Sequence, residues 1–311
     1  MNTLVVLLGP TAVGKTELSL SLAEKLGSPI INCDSRQLFT DLRIGTAAPT
    51  VEQMQRVKHY FVGMLPLDAY YSAAQYESDV LNLTSQLFPH HPTLLLSGGS
   101  MMYIDAVCRG IDDIPTISPE VRADIKRRLA EEGLESLAEE LRRMDPAYHA
   151  QADLCNTRRI VHALEVCHMS GRPYSSFRTN SQKPRPFRIV KVGLDRPREE
   201  LFKRINQRVD EMMRQGFLDE VRRLTPYRHL NALNTVGYKE LFHVIDGDWP
   251  LSMAVERIKK NTRVYAKKQL TWFRHDTDIA WFHPSDTTAI TQYLNHALHE
   301  NLLEKDTPSR A

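Results

Sequence analysis

Residues Gly9 to Thr16 read GPTAVGKT, a complete match to G-x-x-x-x-G-K-[ST] lying between an apolar run and a helical pattern. Gly9 and Gly14 let the backbone of Pro10, Thr11, Ala12 and Val13 fold into a nest of N–H donors, and the helix behind it adds its positive end. A polyphosphate fits such a nest, with Lys15 as a point charge on the terminal phosphates and the Thr16 hydroxyl on Mg²⁺. Kinases, ATPases and other phosphate users, ATP-binding proteins included, share this loop, so it does not name the reaction. A second group is Asp34-Ser35-Arg36-Gln37. A carboxylate there is able to take a proton from a nucleophile or hold a metal-bound water, and equally able to cap a helix. A third is LLLSGGSMMY, Leu94 to Tyr103. A P-loop ATPase would end this strand in an aspartate that supports Mg²⁺ and water. Ser97-Gly98-Gly99-Ser100 argues against ordinary ATP hydrolysis and leaves room for a substrate near the backbone, although a plain turn has the same composition.

The elements that must position these groups follow from the hydrophobic pattern. Apolar runs at Leu4–Leu8, Ile30–Cys33, Leu94–Leu96, Ile189–Leu194 and Ile279–Phe282 alternate with helical periodicity. This predicts an α/β fold, a P-loop NTPase-like parallel sheet flanked by helices, with its ligand site at the carboxyl ends of the strands. Asp34, Gly98 and Gly99 then converge on the edge that carries the phosphate loop. Between about 112 and 186 no strand pattern occurs, and Pro119–Ala130, Leu134–Arg143 and Asn156–Met169 read as helices. An inserted all-helical domain is expected there, with 1–111 and 187–311 forming the core. The polar stretch RTNSQKPRPFR at its exit has the composition of a mobile connection. Behind it a long helix carries Leu201, Ile205, Val209 and Met212 on one stripe, and the terminal EKDTPSRA is expected to fray.

Composition narrows the class. A chain of 311 residues with 42% hydrophobic and 25% charged residues is that of a globular protein with a proper core. The start has no basic region, and its apolar stretch of Leu4–Leu8 is too short for a signal peptide or a membrane span. Cys33, Cys108, Cys155 and Cys167 lack any C-x-x-C spacing, so a cytoplasmic location is expected. The net charge of +2 is unevenly placed. Arg257, Lys259, Lys260, Arg263, Lys267, Lys268 and Arg274 face a single acid, Glu256, over that stretch. At about 100° per residue Lys260, Arg263, Lys267 and Arg274 share one stripe, with Ile258, Thr262, Tyr265, Gln269 and Trp272 opposite. The expectation is one face packed and one free, the free face suited to nucleic-acid phosphates.

GPTAVGKT, DSRQLF, GTAAP, YSAAQY, GGSMMY, RRIVHALEV, TVGYKEL and AKKQLTWFR follow one another in an order that resembles the tRNA dimethylallyltransferase family, from Gly9 to about Arg274. The resemblance implies transfer of a dimethylallyl group from dimethylallyl diphosphate to N6 of adenosine 37, beside the anticodon of tRNAs reading codons that begin with U. It implies Mg²⁺ as cofactor, the anticodon stem-loop as partner, no membrane, and a monomer. The phosphate loop then holds a leaving group, with Lys15 and Ser100 catalytic and Asp34 the base. Contacts to tRNA fall on Asp34, Ser35, Arg36, Gln37, Ser100, Arg122, Arg158, Arg159, Ile160, Val161, His162, Lys260, Arg263, Lys267, Lys268 and Arg274. The inserted domain and the C-terminal helices share that binding. Ala48, Ser100, Lys268 and His162 depart from the usual lysine, threonine, arginine and arginine of the family. Two other classes remain open, a small-molecule P-loop kinase and a nucleotide-dependent RNA-binding module without catalysis.

Overall fold

The computed structural model describes residues 1–179 and 182–303, so the expected fraying of EKDTPSRA lies outside the described residues. Six strands form one parallel sheet: β1 (Thr3–Leu8), β2 (Ile30–Cys33), β3 (His59–Tyr60), β4 (Thr93–Gly98), β5 (Arg188–Leu194) and β6 (Ile279–Phe282), in the order β3-β2-β4-β1-β5-β6. The helices are α1 (Lys15–Leu26), α2 (Val51–Arg56), α3 (Ala73–Leu87), α4 (Met101–Arg109), α5 (Pro119–Met144), α6 (Pro146–His149), α7 (Thr157–Ser170), α8 (Arg198–Arg214), α9 (Phe217–Arg223), α10 (Tyr238–Ile245), α11 (Leu251–Phe273) and α12 (Thr287–Leu303). All five expected strands are present. The added β3 is two residues long, too short for a periodic signal.

Alternation along β1 builds both layers. Val5 and Leu7 pack with Leu20 of α1, Leu201 and Ile205 of α8 and Ile290 of α12. Leu4, Val6 and Leu8 pack on the other face with Tyr76 and Val80 of α3 and Ile104 and Val107 of α4. Side chains buried on both faces account for the unbroken apolar runs in the sequence. A third cluster joins Val209 and Met212 to Phe217, Val221, Tyr238, Leu241 and Ile258, so the predicted stripe of α8 is wholly buried.

The chain divides into two compact units, Met1–Cys108 with Arg185–Ala311, and Arg109–Pro184. In the second, α5 is broken at Gly133, whose φ of +83° no helix admits, and this separates the two helices read from the sequence. Its core gathers Ile125, Leu137, Leu141, Tyr148, Ile160 and Leu164. Buried Asp145 accepts from the Tyr148 and Ser175 amides and from the Ser175 hydroxyl, which closes the turn after α5 onto the short 3₁₀ segment Tyr174–Phe177. In the first unit, Arg185 donates to the Ala106 and Val107 carbonyls at the end of α4 and pairs with buried Glu77 at 2.6 Å. A cation at the carboxyl end of a helix satisfies carbonyls that the helix itself leaves open.

Candidate active site

Strand register sets the site. Gly98 of β4 lies opposite Leu8 of β1 on one side and Cys33 of β2 on the other, so the chain continuations at Gly9, Asp34 and Gly99 emerge side by side. A Cβ on Gly98 would stand 2.0 Å from the Cys33 carbonyl oxygen, which only glycine avoids. The same oxygen accepts the Gly99 and Ser100 amides and folds the strand end over β2.

The phosphate loop has the left-handed residues Ala12 and Gly14, and α1 starts without any side-chain cap. Its first amides are therefore open to an anion. The outer side of the loop is fixed by two guanidinium groups, Arg196 on the Val13 carbonyl at 2.7 Å and Arg204 on the Ala12 carbonyl at 3.0 Å. Lys15 turns inward and donates to the Gly9 and Pro10 carbonyls at 2.9 and 2.8 Å. Burial, then repulsion from Arg208, pushes its pKa down to about 7, while Asp34 acts in the opposite sense. Arg208, from α8, carries no sequence signal and was missed; its charge faces Lys15 and Asp34, and burial lowers its pKa also. Arg208 also donates to the Thr46 carbonyl at 3.2 Å, and both cations act electrostatically with the Asp34 carboxylate.

Asp34 is half-buried and starts no helix. One of its oxygens accepts the Arg36 amide at 2.9 Å, forming a turn that caps itself. The rest of the motif holds that turn in place. Arg36 reaches the Asn231 and Ala232 carbonyls, and Gln37 reaches those of Thr46 and Ala47. Ser100, expected beside the chemistry, is buried, and its hydroxyl accepts the Ser35 amide at 2.8 Å. It ties the Asp34 turn to β4. The GTAAP loop is anchored by buried Glu220, which accepts from the amides of Arg43, Ile44 and Gly45 and from the Tyr238 hydroxyl. Glu220 carries no sequence signal, and TVGYKEL does not reveal that its Tyr238 meets Glu220, because these partners lie far off in sequence.

Helix α11 differs most from expectation. Its buried residues are Ala254, Ile258, Ala266, Gln269 and Phe273, so the packed face is rotated from the one predicted. Tyr265 and Trp272 are exposed. Although 37% of Tyr265 is exposed, desolvation of the phenol and then the Asp34 charge raise its pKa to about 12. The basic stripe is not free along its length. Arg263 donates to Asn206 at 2.6 Å, Arg263 and Lys267 stand over the Phe202 ring, and Arg274 pairs with Asp195 at 2.7 Å. The α8 helix packs against that side, which composition alone does not reveal. Lys260 and Lys268 are exposed. Gln269 bridges the Thr11 amide and the Gly99 carbonyl at 2.9 and 2.7 Å.

In the inserted unit Arg158, Arg159 and His162 are exposed on α7. Arg122 and His162 both lie near buried Glu165, at 3.9 and 3.7 Å. Ile160, placed among the RNA contacts from the sequence, is fully buried in that unit's core. Its side chain therefore packs the fold, and Val161 is half-buried beside it.

Among the described residues no helix is long and apolar enough to cross a membrane. Residues 37–276 match the family described as IPP transferase. The chain is 60% identical to tRNA dimethylallyltransferase 2 of Parabacteroides distasonis over 298 residues, 96% of this chain and 100% of that one. It is 58% identical to tRNA dimethylallyltransferase 1 of Phocaeicola vulgatus, over 96% and 99% of the two. Among solved structures it resembles the full-length tRNA isopentenylpyrophosphate transferase of Bacillus halodurans, with a TM-score of 0.73, 30% identity and coverage of 98% and 100%. With a match over most of its length and relatives at this identity, the chain belongs to the tRNA dimethylallyltransferase, or IPP transferase, family.

Proposed function

We infer that the protein transfers a dimethylallyl group from dimethylallyl diphosphate to N6 of adenosine 37 in tRNAs that read codons beginning with U. The observation that carries this reading is the register that sets the phosphate loop, the Asp34 turn and the glycine strand end side by side, in a chain of this family. The kinase reading is not favoured, since β4 ends in Ser97 and Gly98 where a nucleotide hydrolase or kinase would support its metal with an acid.

Heterolysis of the allylic C–O bond leaves its electron pair on the diphosphate. Open loop amides, Lys15 and Arg208 stabilise that growing charge more than they stabilise the intact ester, which is the condition for catalysis. To reach the phosphate, Lys15 exchanges the Gly9 and Pro10 carbonyls for phosphate oxygens. The adenine N6 lone pair forms the new C–N bond, and N6 gives up one proton. Asp34, whose second carboxylate oxygen is left by the turn, accepts that proton. An adenine stacked in the anticodon loop is out of reach, so the base is extruded toward the strand end.

Among the described residues no cluster of three or more His, Cys, Asp or Glu forms a metal cage. That suits Mg²⁺ held by the exposed Thr16 hydroxyl and diphosphate oxygens, since this ion keeps most of its waters and binds phosphate sites through few protein ligands. When bound it neutralises charge on the diphosphate. The tRNA contacts are assigned to exposed Arg158, Arg159 and His162 of the inserted unit and to Lys260, Lys267 and Lys268 of α11. A soluble cytoplasmic monomer completes the reading. Incubation with radiolabelled dimethylallyl diphosphate and unmodified tRNA tests it. Label should appear in tRNA with release of diphosphate; absence of label in a folded protein supplied with Mg²⁺ overturns it.

A further inference from the structure

Gln269 of α11 is 2% exposed and spans the two chain segments that flank the reaction centre. Its Oε1 accepts the Thr11 amide of the phosphate loop at 2.9 Å, and its Nε2 donates to the Gly99 carbonyl at 2.7 Å. An amide N–H only donates and a carbonyl only accepts, so the partners themselves fix the orientation of the side-chain amide. No other uncharged side chain of this length offers one acceptor and one donor at its tip. Gly99 is shaped to admit it. A Cβ there would stand 2.6 Å from Nε2 and 3.1 Å from the Gly9 carbonyl oxygen.

We propose that Gln269 is a positioning residue that sets the separation between the phosphate loop and the strand end, and thereby the distance between the allylic carbon and the acceptor nitrogen. The proposal rests on the transferase reading. Neither end of the bridge supplies a group to the reacting atoms: Thr11 and Gly99 engage it through backbone alone. Sheet pairing fixes β1 against β4 up to Leu8 and Gly98, and past that register the two segments have no ladder between them. Gln269 ties them past that point. Because it is carried on α11, the helix with the exposed Lys260 and Lys268, the same residue links the RNA-binding element to the phosphate loop.

Gln269→Met keeps the length and removes both polar ends. Single-turnover transfer should fall roughly tenfold to a hundredfold, as misplacement of reacting groups by about an ångström does. Affinities for tRNA and for dimethylallyl diphosphate, measured separately by filter binding and calorimetry, should stay unchanged. Gly99→Ala should give a similar loss, and the double variant less than the product of the two, because both act on one bridge. A folded Gln269→Met protein with wild-type single-turnover rate overturns the proposal, as does a loss matched by an equal loss of diphosphate affinity, or fully multiplicative losses in the double variant. A wild-type protein that transfers no label overturns the functional reading and this one with it, whereas an active wild type beside an equally active variant overturns this one alone.

Discussion

The phosphate loop and the basic face of α11 are both cationic, and they use charge differently. Around the loop, Lys15 and Arg208 are turned inward and depressed in pKa by burial, while Arg196 and Arg204 are committed to loop carbonyls. On α11, Lys260, Lys267 and Lys268 are exposed, Arg263 is held by Asn206, and Arg274 is paired with Asp195. Desolvation strengthens the first set against a small, densely charged ligand, because a buried charge meets its partner in a low dielectric. Exposed cations in the second set are screened individually, and they act by releasing counterions from a long polyanion. One region is suited to chemistry on a leaving group and the other to holding RNA.

The largest test of that division removes the proton acceptor. Asp34→Asn keeps the turn, because the amide oxygen still accepts from Arg36, and should lower single-turnover transfer roughly a hundredfold to ten-thousandfold. Binding of tRNA in a filter assay should survive; collapse of tRNA affinity with normal transfer by the bound fraction would make Asp34 a binding residue. Lys15→Ala should cost roughly a hundredfold or more, the usual effect of losing one donor to developing charge. Unchanged turnover in a folded Lys15→Ala protein would end that role.

A milder perturbation of the loop uses pH. Lys15, at about 7 in the free protein, must be protonated to hold diphosphate, so binding draws a proton onto it as pH rises. Dimethylallyl diphosphate affinity should therefore weaken above about pH 7, by up to about tenfold per pH unit. Lys15→Arg, which stays charged, should flatten the dependence in a calorimetric titration. Equal slopes in the two proteins would place the titration elsewhere.

The smallest expected effect separates the cations within α11. Neutralising exposed Lys260 or Lys267 should each reduce the slope of log tRNA affinity against log salt by roughly 0.7 to 0.9. Arg274, already balanced by Asp195, should change it far less. Equal slope changes for Lys260 and Arg274 would erase the distinction, and an unaltered slope in all of them would move the RNA surface elsewhere. Dimethylallyl diphosphate affinity should hold constant throughout, which keeps the two regions separable.

Much of the architecture is legible in the sequence. The five apolar runs became strands because a sheet covered on both faces needs continuous hydrophobic segments, and that pattern is local. The phosphate loop was legible for a related reason: its geometry is a property of Gly9, Gly14 and the helix start, all within eight residues. The break at Gly133 likewise follows from one residue's backbone freedom. Properties that depend on neighbours distant in sequence were not legible. Ile160 looked like part of an RNA-contacting motif and is core, because α7 turns that face toward α5. The bond between Ser100 and Ser35, 65 residues away, was likewise invisible in the motif that suggested a place for Ser100 beside the substrate. Arg208 had no motif at all, and the place of Gln269 within AKKQLTWFR did not reveal its partners; both matter because α8 and α11 fold back against the loop. The packed stripe predicted on α11 holds at Ile258 and Gln269 and departs at Tyr265 and Trp272, which are exposed, because the neighbours of that helix are distant in sequence. The sequence by itself determined five of the six strands, the phosphate loop and the family, all of which rest on local backbone preference and contiguous motifs. Only the tertiary structure decided which cations are free, which polar groups are spent on holding the fold, and how far apart the reacting groups stand, because each of these is set by hydrogen bonds and packing between segments that the chain brings together only on folding.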